Sequence, residues 1–244
     1  MLLFRKTLVV LCAFGVVALG SHANAATLVV GSSAGNNEAP FGPGYMQAGA
    51  RYQQIYTSTA FSAPVVISQL AFQSLSDGGA PTFHLTVGLG VTSSSPASPS
   101  LTFAVNGSPA TAFSGALTPA LSGAGTLGSA TFDFVINLTT PFTYNPASGN
   151  LLLDVVVTSP TTYTGAYLSF VAGNNAGLGR VYSQTGNTTG ITDGFGYGLY
   201  TQFTTGPVGP PSGPTVPALS PWGIAILAVL LLVTGRLWLR HANT

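Results

Sequence analysis

Through the middle of this chain apolar residues recur at every second position, and nowhere at helical spacing. In residues 82–91, Phe83, Leu85, Val87, Leu89 and Val91 share one face of an extended segment, and His84, Thr86, Gly88 and Gly90 take the other. Phe132, Phe134 and Ile136 alternate with Thr131, Asp133, Val135 and Asn137, and Val66, Ser68, Leu70 and Phe72 with Ile67, Gln69 and Ala71. Residues 151–158 form a nearly unbroken apolar run instead, the pattern of a central strand covered on both faces. Further strand candidates are 27–30, 50–57, 101–105, 111–116, 166–172, 180–183 and 196–204. Turn chemistry separates them at Asp77-Gly, Asn106-Gly, Asn145-Pro, Ser159-Pro, Gly173-Asn-Asn and Asp193-Gly. About ten short strands at this spacing predict an all-β fold, an antiparallel β-sandwich of jelly-roll type over residues 26–204.

This middle carries almost no charge. Charged types are 5% of the 244 residues, against about a quarter in an ordinary soluble domain, which argues against a cytosolic enzyme. Between residues 26 and 215 the cations are Arg51 and Arg180, set against Glu38, Asp77, Asp133, Asp154 and Asp193, with no lysine. A basic nucleic-acid surface is thereby excluded. The one cysteine, Cys12, lies in the N-terminal segment, so the β region is held by its core without disulfides. A body of this size buries about 70% of its unfolded surface, which is enough.

The two ends read as addresses. Residues 1–25 have the layout of a secretory signal peptide: Arg5 and Lys6, an apolar run over 8–19, then Ala23 and Ala25 ahead of a cut before Ala26. Export translocon and signal peptidase are the partners this predicts. Val10 and Leu11 precede Cys12 where a lipoprotein would need small residues. At the other end, residues 222–235 are apolar and uncharged, and Arg236 and Arg240 follow. A helix over about 221–239 is roughly 28 Å long, close to the bilayer's hydrocarbon thickness. Trp222 and Trp238 suit the two interfaces, and the arginines act as stop-transfer charges that keep the C-terminus cytoplasmic. Residues 205–215, rich in Pro and Gly, form a semi-extended linker.

Immediately before that helix stands Val216-Pro217-Ala218-Leu219-Ser220-Pro221-Trp222-Gly223. With the apolar segment and arginines behind it, this sequence resembles the IPTL-CTERM sorting signal, a relative of the PEP-CTERM tail. Val216 and Ala218 stand where the family pattern has Ile and Thr; Pro217, Leu219, Ser220, Trp222 and Gly223 match it. The resemblance covers about the last 28 residues. It implies recognition and cleavage by an exosortase-type transpeptidase of Gram-negative bacteria and transfer of the body to the cell surface or matrix. Segments at 61–67 and from 132 onward resemble, more loosely, bodies carried by such surface proteins.

Little catalytic chemistry is on offer. His84 is the one histidine between the two ends, in a strand pattern, and no Gly-x-Ser-x-Gly elbow accompanies it. Glu38 is the only glutamate, and Asp133 and Asp154 fall in strand patterns whose proximity sequence leaves open. We expect no enzyme activity and no resident cofactor. Asp77 and Asp193 are the candidate ligands for a weak structural Ca²⁺, although Asp-Gly is first of all a turn dipeptide. Tyr163, Tyr167, Tyr182, Tyr197 and Tyr200 gather in the last third of the body among Gly, Asn, Ser and Thr. They are the candidate ligand surface, for exopolysaccharide above all, although alternating tyrosine is also what strand propensity produces. Two functions follow: a displayed, non-catalytic surface or matrix protein, and a carbohydrate-binding module on the same scaffold.

Overall fold

The computed structural model describes residues 25–75, 81–122, 131–162, 168–192 and 196–209, with Val229, Leu231 and Arg236 as isolated helical positions beyond them. The chain divides into two compact units, Met1–Val208 and Gly209–Thr244. Residues 1–24 of the signal segment, the motif at 216–223, and Trp238 and Arg240 lie outside the described residues. Among the described residues, no helix is long and apolar enough to cross a membrane.

The first unit is built from antiparallel sheets packed against each other, a mostly-β arrangement consistent with a β-sandwich. One sheet has the order β1 (Ala26–Val30), β12 (Thr201–Pro207), β4 (Val65–Phe72), β7 (Phe134–Tyr144). A second has β10 (Leu178–Ser183), β3 (Arg51–Tyr56), β8 (Asn150–Thr162), β5 (Thr82–Thr92), β6 (Ala110–Leu117). A small third sheet sets β11 (Tyr197–Leu199) and β2 (Gly35–Asn37) on either side of β9 (Phe170–Asn174).

Alternation places the core. Phe83, Leu85, Val87 and Leu89 of β5 are buried, and the last three stand opposite Val157, Val155 and Leu153 of β8. Each such pair stacks apolar side chains directly across the ladder, the basic unit of sheet stabilisation. Leu70, Phe72, Phe134, Ile136 and Phe203 of the four-stranded sheet are likewise buried and belong to the same apolar cluster. Phe41, on the connection leading to β3, enters between the layers. Its ring lies 4.2 Å from Phe134, 5.2 Å from Phe170, 5.4 Å from Phe72 and 5.8 Å from Phe83, centroid to centroid. The run at 151–158 is indeed the middle strand of five, with residues 151–155 buried on both faces.

Several local readings change. In β4 the residues that join the core cluster are Ile67, Leu70 and Phe72, so the core-facing side switches partway along the strand. Both neighbours show why: the register shifts between Ile67 and Gln69, leaving Ser68 as an extra, bulged residue. Residues 101–105 do not form a strand; Phe103–Asn106 is a single turn of helix, α1, after extended Thr102. Ser159-Pro160 is no turn. It sits inside β8 at a register irregularity, one of the strand positions that tolerate proline. Gly173 and Asn174 belong to β9, and the turn follows them at Asn175. Residues 196–204 divide into β11 and β12, and β12 runs on through Thr205, Gly206 and Pro207 of the segment read as linker.

Candidate functional site

A polar concavity forms where the small sheet meets β10. Its lining is Asn36 and Asn37 from β2, Asn174 from β9, Tyr197 from β11 and Arg180 from β10, around an open cavity of about 380 Å³. Local structure explains the placement. Tyr197 stands directly across from Asn174 in the β11–β9 ladder, and Asn36 pairs with Val171 on the far side of β9. Arg180 is opposite Gln54 in the β10–β3 ladder, on the same face as Tyr182 and Leu178.

Arg180 is 2% exposed, an unusual burial for a cation. Aromatic rings hold it: its guanidinium carbon lies 4.5 Å from the Tyr197 ring centroid and 5.0 Å from that of Tyr182. Such contacts strengthen when the cation is shielded from water. The Tyr197 hydroxyl donates to the Asn36 carbonyl at 2.6 Å, which fixes the ring against β2. Tyr45 packs edge-on against Tyr182 at 5.4 Å.

Behind the cation runs a buried polar network. The Gln54 side chain imitates a strand: its Oε1 accepts from the Leu199 amide at 2.7 Å, and its Nε2 donates to the Leu199 carbonyl at 3.0 Å. The Tyr52 hydroxyl donates to the same Oε1. This amide explains Gly198, since a Cβ there would lie 2.7 Å from Gln54 Oε1. Thr201 Oγ1 shares a hydrogen bond with the Tyr56 hydroxyl at 2.8 Å. Burial pushes the Tyr52 phenol up to about 12, although the Arg180 charge beside it pulls the other way. Tyr56 is raised well above 10 by burial, and Tyr144 by burial to about 12.

These shifts set a pH dependence. A phenol whose pKa is raised on folding binds its proton more tightly in the native state. Its stabilising contribution is complete below pH 10, the unfolded value, and is lost as pH climbs toward about 12. Ultraviolet titration is expected to show an early group of tyrosines ionising near pH 10 and a late group released with loss of the native fold. A single reversible step near 10 for all nine tyrosines would contradict the burial of these three.

The tyrosines proposed as a ligand surface separate. Tyr182, 4% exposed, and the half-buried Tyr197 converge on Arg180. Tyr200 faces elsewhere, its ring 5.2 Å from that of Phe132. Tyr163 and Tyr167 lie outside the described residues, as do Asp77 and Asp193, the pair considered for calcium. Ala25 is exposed, and Ala26 is the first residue of β1, paired with Thr205. Arg236 is a helical position in the second unit.

The carboxylates expected in strands serve structural ends. Asp133 precedes β7; its Oδ1 accepts from the Ser74 amide at 2.9 Å, and its Oδ2 from the Ser122 amide and hydroxyl at 2.8 and 2.9 Å. Asp154, in β8, accepts two hydrogen bonds from Arg51, at 2.9 and 2.7 Å. They belong to different sheet regions and have separate partners, so they do not compose a facing acid pair. His84 is half-buried in β5, in register with Ala116 and Ser159. Among the described residues, no group of three or more His, Cys, Asp and Glu side chains is placed to hold a metal.

Sequence reasoning missed Arg180 and the three asparagines. The available signal was Arg180 itself, one of two cations between the ends, placed beside an apolar strand run where only specific partners make burial tolerable. A second hollow of about 300 Å³, between Tyr182 and Ile191, is lined mainly by Ser, Thr, Asn and Gln side chains of the 183–189 loop. Comparison of the chain with protein-family models, with curated proteins and with solved structures gives no match.

Proposed function

We propose that this chain is an exported, non-catalytic protein of the cell surface or extracellular matrix, its body a jelly-roll-like sandwich. Its N-terminal segment directs it through the export translocon to signal peptidase. Its C-terminal helix holds it in the membrane until an exosortase-type transpeptidase cuts the 216–223 motif. One observation supports this reading: an ordered β strand follows directly on the expected cleavage site and pairs with the strand that leads into the C-terminal segment. β1 begins at Ala26, directly after the Ala23-Asn24-Ala25 site, and β12 ends at Pro207, where the Pro- and Gly-rich segment takes over. A sparsely charged β body between two topogenic segments fits a protein that crosses the membrane and is displayed.

The test is fractionation and intact-mass measurement of the native protein beside a Trp222→Ala variant. The natural protein is expected to lack residues 1–25 and its tail and to reach the surface fraction. The variant is expected to lose residues 1–25 only and to stay in the inner membrane. A full-length cytosolic polypeptide would overturn export, and identical tail processing of the two would overturn the sorting motif.

Arg180, held by the rings of Tyr182 and Tyr197 in a cleft that three asparagines also line, favours the second reading, a carbohydrate-binding module on the same scaffold. The two readings are compatible, because display at the surface is where such a module meets exopolysaccharide.

A further inference from the structure

We infer that the cleft at Arg180 takes one pyranose residue of a polysaccharide and holds it edge-on, by hydrogen bonds to ring hydroxyls rather than by stacking on an aromatic face. The inference rests on the carbohydrate-binding reading and says where the sugar sits and how it is gripped.

The lining chooses the ligand class. Asn36 and Asn174 line the cleft with amides that each carry two donor hydrogens and an acceptor oxygen, while Asn37 Nδ2 already donates to the Ala39 carbonyl. Vicinal sugar hydroxyls also donate and accept, and they match such amides in pairs. An apolar ligand gains little here, because the one aromatic lining residue is Tyr197. A polyphosphate is equally unsuited: Arg180 is the single cation of the lining, in a body with two arginines and five acidic residues. The volume, about 380 Å³, lies toward the small end of the roughly 300–1,000 Å³ usual for small-ligand sites.

The rings decide the mode of binding. Sugar platforms present an open aromatic face, whereas here the Arg180 guanidinium lies over both the Tyr197 and the Tyr182 rings. The Tyr197 hydroxyl is committed to the Asn36 carbonyl, and Tyr182 is held by the edge of Tyr45. These tyrosines work as scaffold, leaving the amides as the grip. Asn36 and Asn174 are exposed side chains on paired strands, so the backbone carrying them is set before a ligand arrives.

The experiment measures binding of the full chain, in detergent micelles, to surfaces coated with dextran (neutral pyranose) and alginate (uronate), for the natural sequence and an Asn36→Ala/Asn174→Ala variant. The natural protein is expected to bind at least one polymer, and the variant about tenfold more weakly with an unchanged melting temperature, as two lost neutral hydrogen bonds imply. Preference between the polymers tells whether a carboxylate adds to the hydroxyl contacts. Binding that survives the double substitution would overturn the cleft while leaving the carbohydrate reading in place. Failure to bind either polymer would overturn both.

Discussion

Gly179→Ala is expected to lower the melting temperature by about 10 °C or to prevent folding altogether. Gly179 sits in β10 opposite Ile55, on the face turned away from Arg180. A Cβ there would lie 1.9 Å from the Pro96 carbonyl oxygen and 2.7 Å from its carbon. Both are backbone atoms, and the segment bearing them is pinned. Asn150 Nδ2 donates to the Ser94 carbonyl at 3.0 Å, and Asn106 exchanges hydrogen bonds with the Ser100 backbone at 2.9 and 2.8 Å. Overpacking of this kind costs about 3 kcal/mol or more, and each kcal/mol moves the melting point of a domain this size by about 2–4 °C. Circular-dichroism melts decide the matter, with Gly206→Ala as control, since nothing lies within 4 Å of a Cβ at Gly206. An unchanged melting point for Gly179→Ala would mean that residues 93–100 do not clamp the outer face of the five-stranded sheet.

Asp154→Ala is expected to cost about 3 kcal/mol, while replacing Arg51 and Asp154 together by Met and Leu restores most of the loss. The pair is bidentate, with Nε to Oδ1 at 2.9 Å and Nη2 to Oδ2 at 2.7 Å. Asp154 is 8% exposed at the centre of β8, and the Arg51 guanidinium lies 4.8 Å over the ring of Phe103 in α1. Removing the carboxylate strands that cation beneath a ring, away from full hydration. Removing both charges leaves an apolar patch beside Leu152 and Phe103. Urea midpoints of the two variants separate the cases. A double variant no more stable than Asp154→Ala would show that the carboxylate matters for packing rather than for charge.

Much of the strand layout was legible, and the reasons are physical. Burial on one face writes itself as alternation, which is why β5 and the start of β7 stood out, and burial on both faces marked β8. What failed were features that break the period. The Ser68 bulge resets the face of β4 while leaving its composition strand-like, and α1 is too short to show a helical stripe. β2, three residues reading Gly35-Asn36-Asn37, has no hydrophobic signature at all. The cleft was illegible for a related reason. Its residues come from four strands spread from position 36 to 197, and only pairing across β9 brings two of them beside Arg180. Tyr182 and Tyr197 were visible as tyrosines, but that they would cradle a cation rather than face solvent follows from register alone.

The four-stranded sheet carries one more consequence. Among the described residues its first strand, β1, bonds to no strand but β12, the last. A polypeptide emerging N-terminus first from a ribosome therefore holds residues 26–30 unmatched until residues 201–205 have emerged. Closure of that layer waits for almost the whole of the β body, whereas β3, β8, β5 and β6 of the other sheet can pair once residue 162 is out.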